Sequence, residues 1–136
     1  MANSRGITKQ ALCEYIASTY AANAEHLWPD YPEYAVFRNG QSKKWFATYM
    51  VIPPSKLGLL GEEPVAVCNV KAEPLFIDLL LQQKGVFPAY HMNKTHWVTL
   101  LLSGGQTEEQ IKALLDMSYH LTSPKARKKI KRSEED

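Results

Sequence analysis

Residues 87–97, FPAYHMNKTHW, hold two histidines, a lysine, an asparagine and three aromatic rings in eleven positions, and the apolar run Val98–Leu102 follows directly. If MNKT is a four-residue turn, His91 and His96 become cross-strand neighbours with Cβ atoms roughly 5 Å apart on one face, near enough for two imidazoles to share a metal ion. A structural zinc site takes four protein ligands and a catalytic one three. His26 and His120 sit in other segments, with no spacing that directs them here. No metal site and no cofactor are expected. Histidine titrates near neutrality, so either ring could serve as a general base, but a base needs a reacting partner. The chain offers no nucleophile elbow, no phosphate-cradling glycine loop and no paired carboxylates. SGG at 103–105 precedes a helix start whose free amides could receive an anion; a connector into a helix cap accounts for it more simply. No residue is assigned a catalytic role, and the chain is expected not to be an enzyme.

Binding is the chemistry left to this segment. NGQSKK carries Lys43 and Lys44, and HMNKTH carries Asn93 and Lys94 between His91 and His96. At hairpin tips, such side chains suit backbone phosphates and minor-groove acceptors. With two or three cations shared between two tips, attraction to DNA is expected to be weak and strongly salt-dependent.

The elements that would position these tips can be read from periodicity. Leu12, Tyr15, Ile16, Thr19 and Tyr20 form one stripe of a helix over residues 7–22, and Pro29 and Pro32 break the pattern after it. Residues 34–39 and 44–52 are strand-like and joined by NGQSK, where Asn39-Gly40 is expected to supply the positive φ of a tight hairpin. A proline- and glycine-rich loop leads to a third strand at 65–71. A short helix follows in AEPLFIDLLLQQKG, with Pro74 in its first turn, Gly85 beyond its end, and Leu75 and Leu79, with Phe76 and Leu80, as its apolar face. Residues 87–91 and 96–102 are two strands. Thr107-Glu108-Glu109-Gln110 is a capping box opening a last helix with the stripe Ile111, Leu114, Leu115, Ser118 and Tyr119, which Pro124 ends. The order is helix, three strands, helix, two strands, helix. Hairpin-length links imply an antiparallel sheet, and the three amphipathic helices are expected on one face of it: an α+β two-layer sandwich in one domain, residues 1–124.

Alternation along the strands groups Trp97, Thr99 and Leu101 on the second face, with Lys71, Asn69 and Val67 beside them and Arg38 alternating with Val36 and Tyr34. Trp45 and Tyr49 share a side with Ala47; which side is ambiguous. An open face of this composition could stack bases beside phosphate-seeking charges, or receive a protein. Trp45, Tyr49 and Trp97 are the candidates for such an interaction surface.

Composition limits the partners. Of 136 residues, 45% are hydrophobic and 22% charged, as in an ordinary soluble domain. The net charge of +2 is uneven: residues 125–136 hold six cations, Lys128 and Lys129 among them, and three acids, which leaves residues 1–124 at −1. The body is not globally basic, so nucleic-acid binding must rest on a local patch or on this tail, which is expected to be disordered. Cys13 and Cys68 have no metal-ligand spacing and are read as free thiols rather than a lone disulfide. MANSRGITKQALCEY has charges where a secretion signal needs an apolar block, and no run approaches a membrane span. A cytoplasmic protein with no membrane partner is expected.

YPEYAVFRNGQSKKWFATYMVIP, VCNVKAEP, LLLQQKGVFPAYHMNKTHWVTLLL and EEQIKALLDMSYHL together resemble the MmcQ/YjbR family of small bacterial proteins. The resemblance runs from about Trp28 to Leu121. Its most specific piece is the pattern G-[IV]-F-P-[AG]-Y-H-M-N-K-x-H-W, met here by Gly85–Trp97. It implies a secretion-chaperone-like α-β(3)-α-β(2)-α fold and a DNA-binding role, and it carries over no catalytic residue. The basic tail departs from the family's shared pattern. The reading that follows is a non-enzymatic DNA-binding protein using Arg38, Lys43, Lys44, Lys71, His91, Asn93, Lys94, His96, Lys128 and Lys129. The alternative is a protein-interaction module or homodimer using the open sheet face, and the third reading is an enzyme.

Overall fold

A computed structural model describes residues 6–124; the tail with Lys128 and Lys129, and its expected disorder, lie outside the described residues. The Thr8 hydroxyl accepts from the Ala11 amide and opens α1, Lys9–Tyr20. There follow β1 (Ala35–Arg38), β2 (Trp45–Ile52), a 3-10 turn at Pro54–Leu57, β3 (Val65–Lys71), α2 (Pro74–Leu81), β4 (Val86–Pro88), β5 (Trp97–Leu101) and α3 (Glu108–Thr122). The capping box forms as read: Thr107 Oγ1 accepts from the Gln110 amide at 3.0 Å, and Gln110 Oε1 accepts from the Thr107 amide at 2.8 Å. The strands make one five-stranded antiparallel sheet in the order β1-β2-β3-β5-β4. Leu12 and Ile16 of α1, Ile77 and Leu80 of α2, and Ile111 and Leu115 of α3 close over Phe37, Cys68, Val70, Val98 and Leu100. This is the two-layer α+β sandwich, with its helices on one face. Among the described residues no helix is long and apolar enough to cross a membrane.

Three local expectations are corrected. First, α2 buries Ile77 and Leu80, while Leu75 (89% exposed), Phe76 and Leu79 face outward. A helix of eight residues that is apolar nearly all round has no periodic contrast from which to read its buried side. Second, Asn39-Gly40 is no mirror-type turn. Asn39 is fully buried, its Oδ1 accepts from the Gln41 and Ser42 amides, and Lys43 takes the positive φ, 68°. Third, the strands around MNKT are shorter than expected, ending at Pro88 and resuming at Trp97. The Tyr90 amide bonds to the Thr99 side chain instead of a ladder carbonyl, and His91 turns the chain at φ 64°. His91 and His96 therefore form no ladder pair.

Serine and glycine at 103–105 serve packing. Gly105 (φ 88°) lies back to back with Gly85 (φ 84°), and a Cβ on Gly105 would meet Gly85 Cα at 2.7 Å. This close approach joins the α3 entry to the turn after α2.

Cys13 and Cys68 are both free thiols. Cys68, fully buried and paired with Tyr49 and Leu100 across the sheet, has its thiol pushed up to about 12 from 9.0, chiefly by burial. The folded state thus holds a proton that the unfolded chain releases. Its contribution is complete below pH 9 and is lost as pH climbs toward 12, at up to about 1.4 kcal/mol per pH unit. Between pH 8.5 and 10 in urea titrations, Cys68→Ala should lose about 1 kcal/mol less stability than the parent chain. The Cys13 thiol and the Tyr20, Tyr34 and Tyr49 phenols, also raised by burial, add to the fall in both proteins. An equal fall in the variant would discharge Cys68 of the effect.

Candidate nucleic-acid interface at the hairpin end of the sheet

Register places the candidate tips together. The last fully paired row runs Phe37–Ala47–Val70–Val98–Pro88, and Arg38, Trp45, Lys71 and Trp97 lie beyond it at the same end. The β1–β2 turn (39–44) and the β4–β5 connection (89–96) therefore leave the sheet in one direction. Only β3 separates them, so β2 and β5 stand roughly 10 Å apart. Lys43, Lys44 and Lys94 are exposed and Lys71 is half-buried; none is paired with a carboxylate among the described residues. His91, Asn93 and His96 are exposed on the same connection. Asn93 shapes it, since Oδ1 accepts from the Thr95 amide at 2.7 Å and its carbonyl from the His96 amide at 3.2 Å.

Arg38 is differently employed. Its Nε donates to both carboxylate oxygens of Glu25 (3.0 and 3.1 Å), its Nη1 donates to the Lys43 carbonyl at 3.2 Å, and its guanidinium lies over the Trp45 ring. It braces the tip with its charge already balanced. Glu73, at the start of α2, subtracts one further charge from this end.

The end is held by α3. Asn39 Nδ2 lies within hydrogen-bond distance of the Tyr119 carbonyl (3.2 Å), Thr122 Oγ1 (3.4 Å) and Ser123 Oγ (3.1 Å). The C-terminal end of α3 is thereby fixed to the β1–β2 tip. Ser118, fully buried, spans β2 and β3 there: its hydroxyl donates to the Phe46 carbonyl at 2.6 Å and accepts from the Lys71 amide at 2.8 Å.

The second sheet face is not open. Trp97 is 8% exposed, and Met50 and Val67 are buried under Tyr34, Leu57 and Tyr90. The covering segment docks on β1 through Glu25, which exchanges two backbone hydrogen bonds with Val36, both 2.9 Å. Asn69 Nδ2 donates to the Tyr90 carbonyl, and the Thr99 hydroxyl donates to Asn69 Oδ1, so the β4–β5 connection is tied down on this face. Tyr49 lies on the other face, in the helix-covered core, because a bulge at Phe37/Arg38 gives β2 an extra residue and separates it from Trp45. The interaction surface of Trp45, Tyr49 and Trp97 is corrected accordingly. Trp97 and Tyr49 are buried on opposite faces, and Trp45 alone stays half-exposed.

What strand alternation does not reveal is a cavity of about 430 Å³ on the second face. Trp28, Tyr31, Tyr34, Trp45, Tyr90 and His91 line it, with two methionines. Trp28 stands edge-on to Trp45 (5.9 Å between ring centroids, 72°) and to Tyr34 (6.0 Å, 70°). The sequence signal was the density of rings in LWPDYPEY, which reads as a plain connector until its position over β2 is known.

A family model described as YjbR matches residues 17–121. The chain is 33% identical over 116 residues to the uncharacterised protein YyaQ of Bacillus subtilis, covering 85% of this chain and 98% of that one. It is 35% identical over 77 residues to the uncharacterised YjbR of Escherichia coli, 55% of this chain and 65% of that one. A crystal structure of a Pseudomonas syringae protein superposes with a TM-score of 0.84 at 38% identity, over 86% of this chain and all of that one. A Deinococcus radiodurans protein does so at 0.67 and 25% identity, over 92% and 84%.

Proposed function

The chain belongs to the YjbR family, and we propose that it is a cytoplasmic DNA-binding protein without catalytic activity, which meets the phosphate backbone with the hairpin end of its sheet. The observation that carries this reading is the gathering of Lys43, Lys44, Lys71 and Lys94 at one end with no carboxylate partner among the described residues. A salt-bridged lysine must lose one partner to gain another. An unpaired one only exchanges water and counterions, and the released counterions drive association. His91, Asn93 and His96 add polar reach at one tip, and Lys128 and Lys129, outside the described residues, add charge of the same sign. With so few cations, affinity depends on ionic strength and carries little sequence preference.

Mobility shift or anisotropy with a short duplex, at several salt concentrations, tests this. Each phosphate contact contributes about 0.9 to the slope of log K against log salt, so Lys43→Ala/Lys44→Ala/Lys94→Ala should lower that slope by about 3. Removing residues 125–136 should lower it separately. A slope unchanged by the triple substitution would end the assignment of the tips.

The alternative, a protein-interaction module or homodimer, no longer has the second sheet face available to it. Its apolar surface is instead the outward side of α2, Leu75, Phe76 and Leu79.

A further inference from the structure

Resting on that reading, the aromatic cavity points to the form of DNA preferred: we propose that it receives one unpaired base of a single strand whose phosphates lie along the lysine end. Three observations converge. The cavity adjoins the cations in sequence and in space. Trp45 follows Lys44 directly and shares its end of the sheet, and His91 lies on the same connection as Lys94. Its walls are six rings and two methionine side chains, with no lysine, arginine or carboxylate among them. That suits a neutral heteroaromatic plate, which can stack on one ring and meet another edge-to-face. At about 430 Å³ it falls in the range of sites for small ligands, whereas a base pair inside a duplex could not enter it.

The backbone is also shaped for the purpose. His91 holds φ 64°, a region that costs a non-glycine residue energy and recurs where a side chain must be presented. The Asn69–Thr99–Tyr90 hydrogen bonds fix the preceding residue, so the His91 ring stays 4.0 Å from that of Tyr90 at the cavity wall. Beneath, the Thr48 hydroxyl is buried on the same face of β2, between Trp45 and Met50, and has no hydrogen-bond partner among the described residues.

The test compares oligothymidylate of about 15 nucleotides with a duplex of equal length, by anisotropy and tryptophan fluorescence on the full chain. The single strand should bind at least tenfold tighter and quench the tryptophans. Trp45→Ala should weaken it by roughly tenfold while duplex binding changes less than twofold. Tyr31→Ala, at a ring 54% exposed and so removable without unfolding, should act in the same direction if Trp45→Ala is too unstable to assay. Lys43→Ala/Lys44→Ala/Lys94→Ala should weaken both forms. Equal binding of the two forms, with no quenching and no effect of Tyr31→Ala, overturns the base-receiving cavity and leaves the phosphate reading standing. Failure to bind either form at low salt overturns both.

Discussion

Ser118→Ala should lower folding stability by about 3 kcal/mol, although it removes a single oxygen atom from a helix, where alanine is otherwise favoured. The β2–β3 ladder ends at Ala47–Val70. One residue further, the bulge that displaces Phe46 leaves its carbonyl and the Lys71 amide to be bridged by the Ser118 hydroxyl. Alanine fits the space but deserts both groups in a fully buried place, and each unmade bond costs about 1–3 kcal/mol. Urea unfolding should show a lower midpoint at an unchanged slope. A loss below about 1 kcal/mol would mean that water or a strand shift replaces the hydroxyl.

Gly105→Ala is expected to be comparably severe, at about 3 kcal/mol. Two costs add: an L-residue at φ 88° loses about 1–2 kcal/mol, and the new Cβ must displace the backbone of Gly85, which costs about 1–3 kcal/mol. The obstruction is Gly85 Cα and N, at 2.7 and 2.8 Å, not the end of a yielding side chain. Gly40→Ala is the control, since a Cβ there meets nothing within 4 Å, and it should change stability by less than about 0.5 kcal/mol. If the two variants unfold alike, the back-to-back glycine contact is not a constraint.

Strands, caps and helix faces were legible where a local signal had a single physical reading. The Thr107 capping box and the third strand, Val65–Lys71, stand as read from their residues, and the stripe of α3 correctly included Ser118, though nothing local said that its hydroxyl bridges two strands. Arg38, Lys71 and Trp97 were correctly placed on one face by alternation. Three things escaped. The bulge at Phe37/Arg38 breaks alternation without a glycine or proline to announce it, so Tyr49 was grouped with Trp45. The cover over the second face comes from Tyr34, Leu57 and Tyr90, residues scattered along the chain, which is a long-range event. Asn39 looked like a turn former and is one, but its amide also reaches α3, some 80 residues away.

The Asn39 joint couples two places far apart in the chain. Its Oδ1 shapes the β1–β2 turn while its Nδ2 meets the Tyr119 carbonyl, Thr122 Oγ1 and Ser123 Oγ at the close of α3. A change in that turn is therefore also a change at the end of the last helix. At the far end of the sheet the Ile7 amide, donating to the Leu102 carbonyl, makes the corresponding tie for the entry to α1.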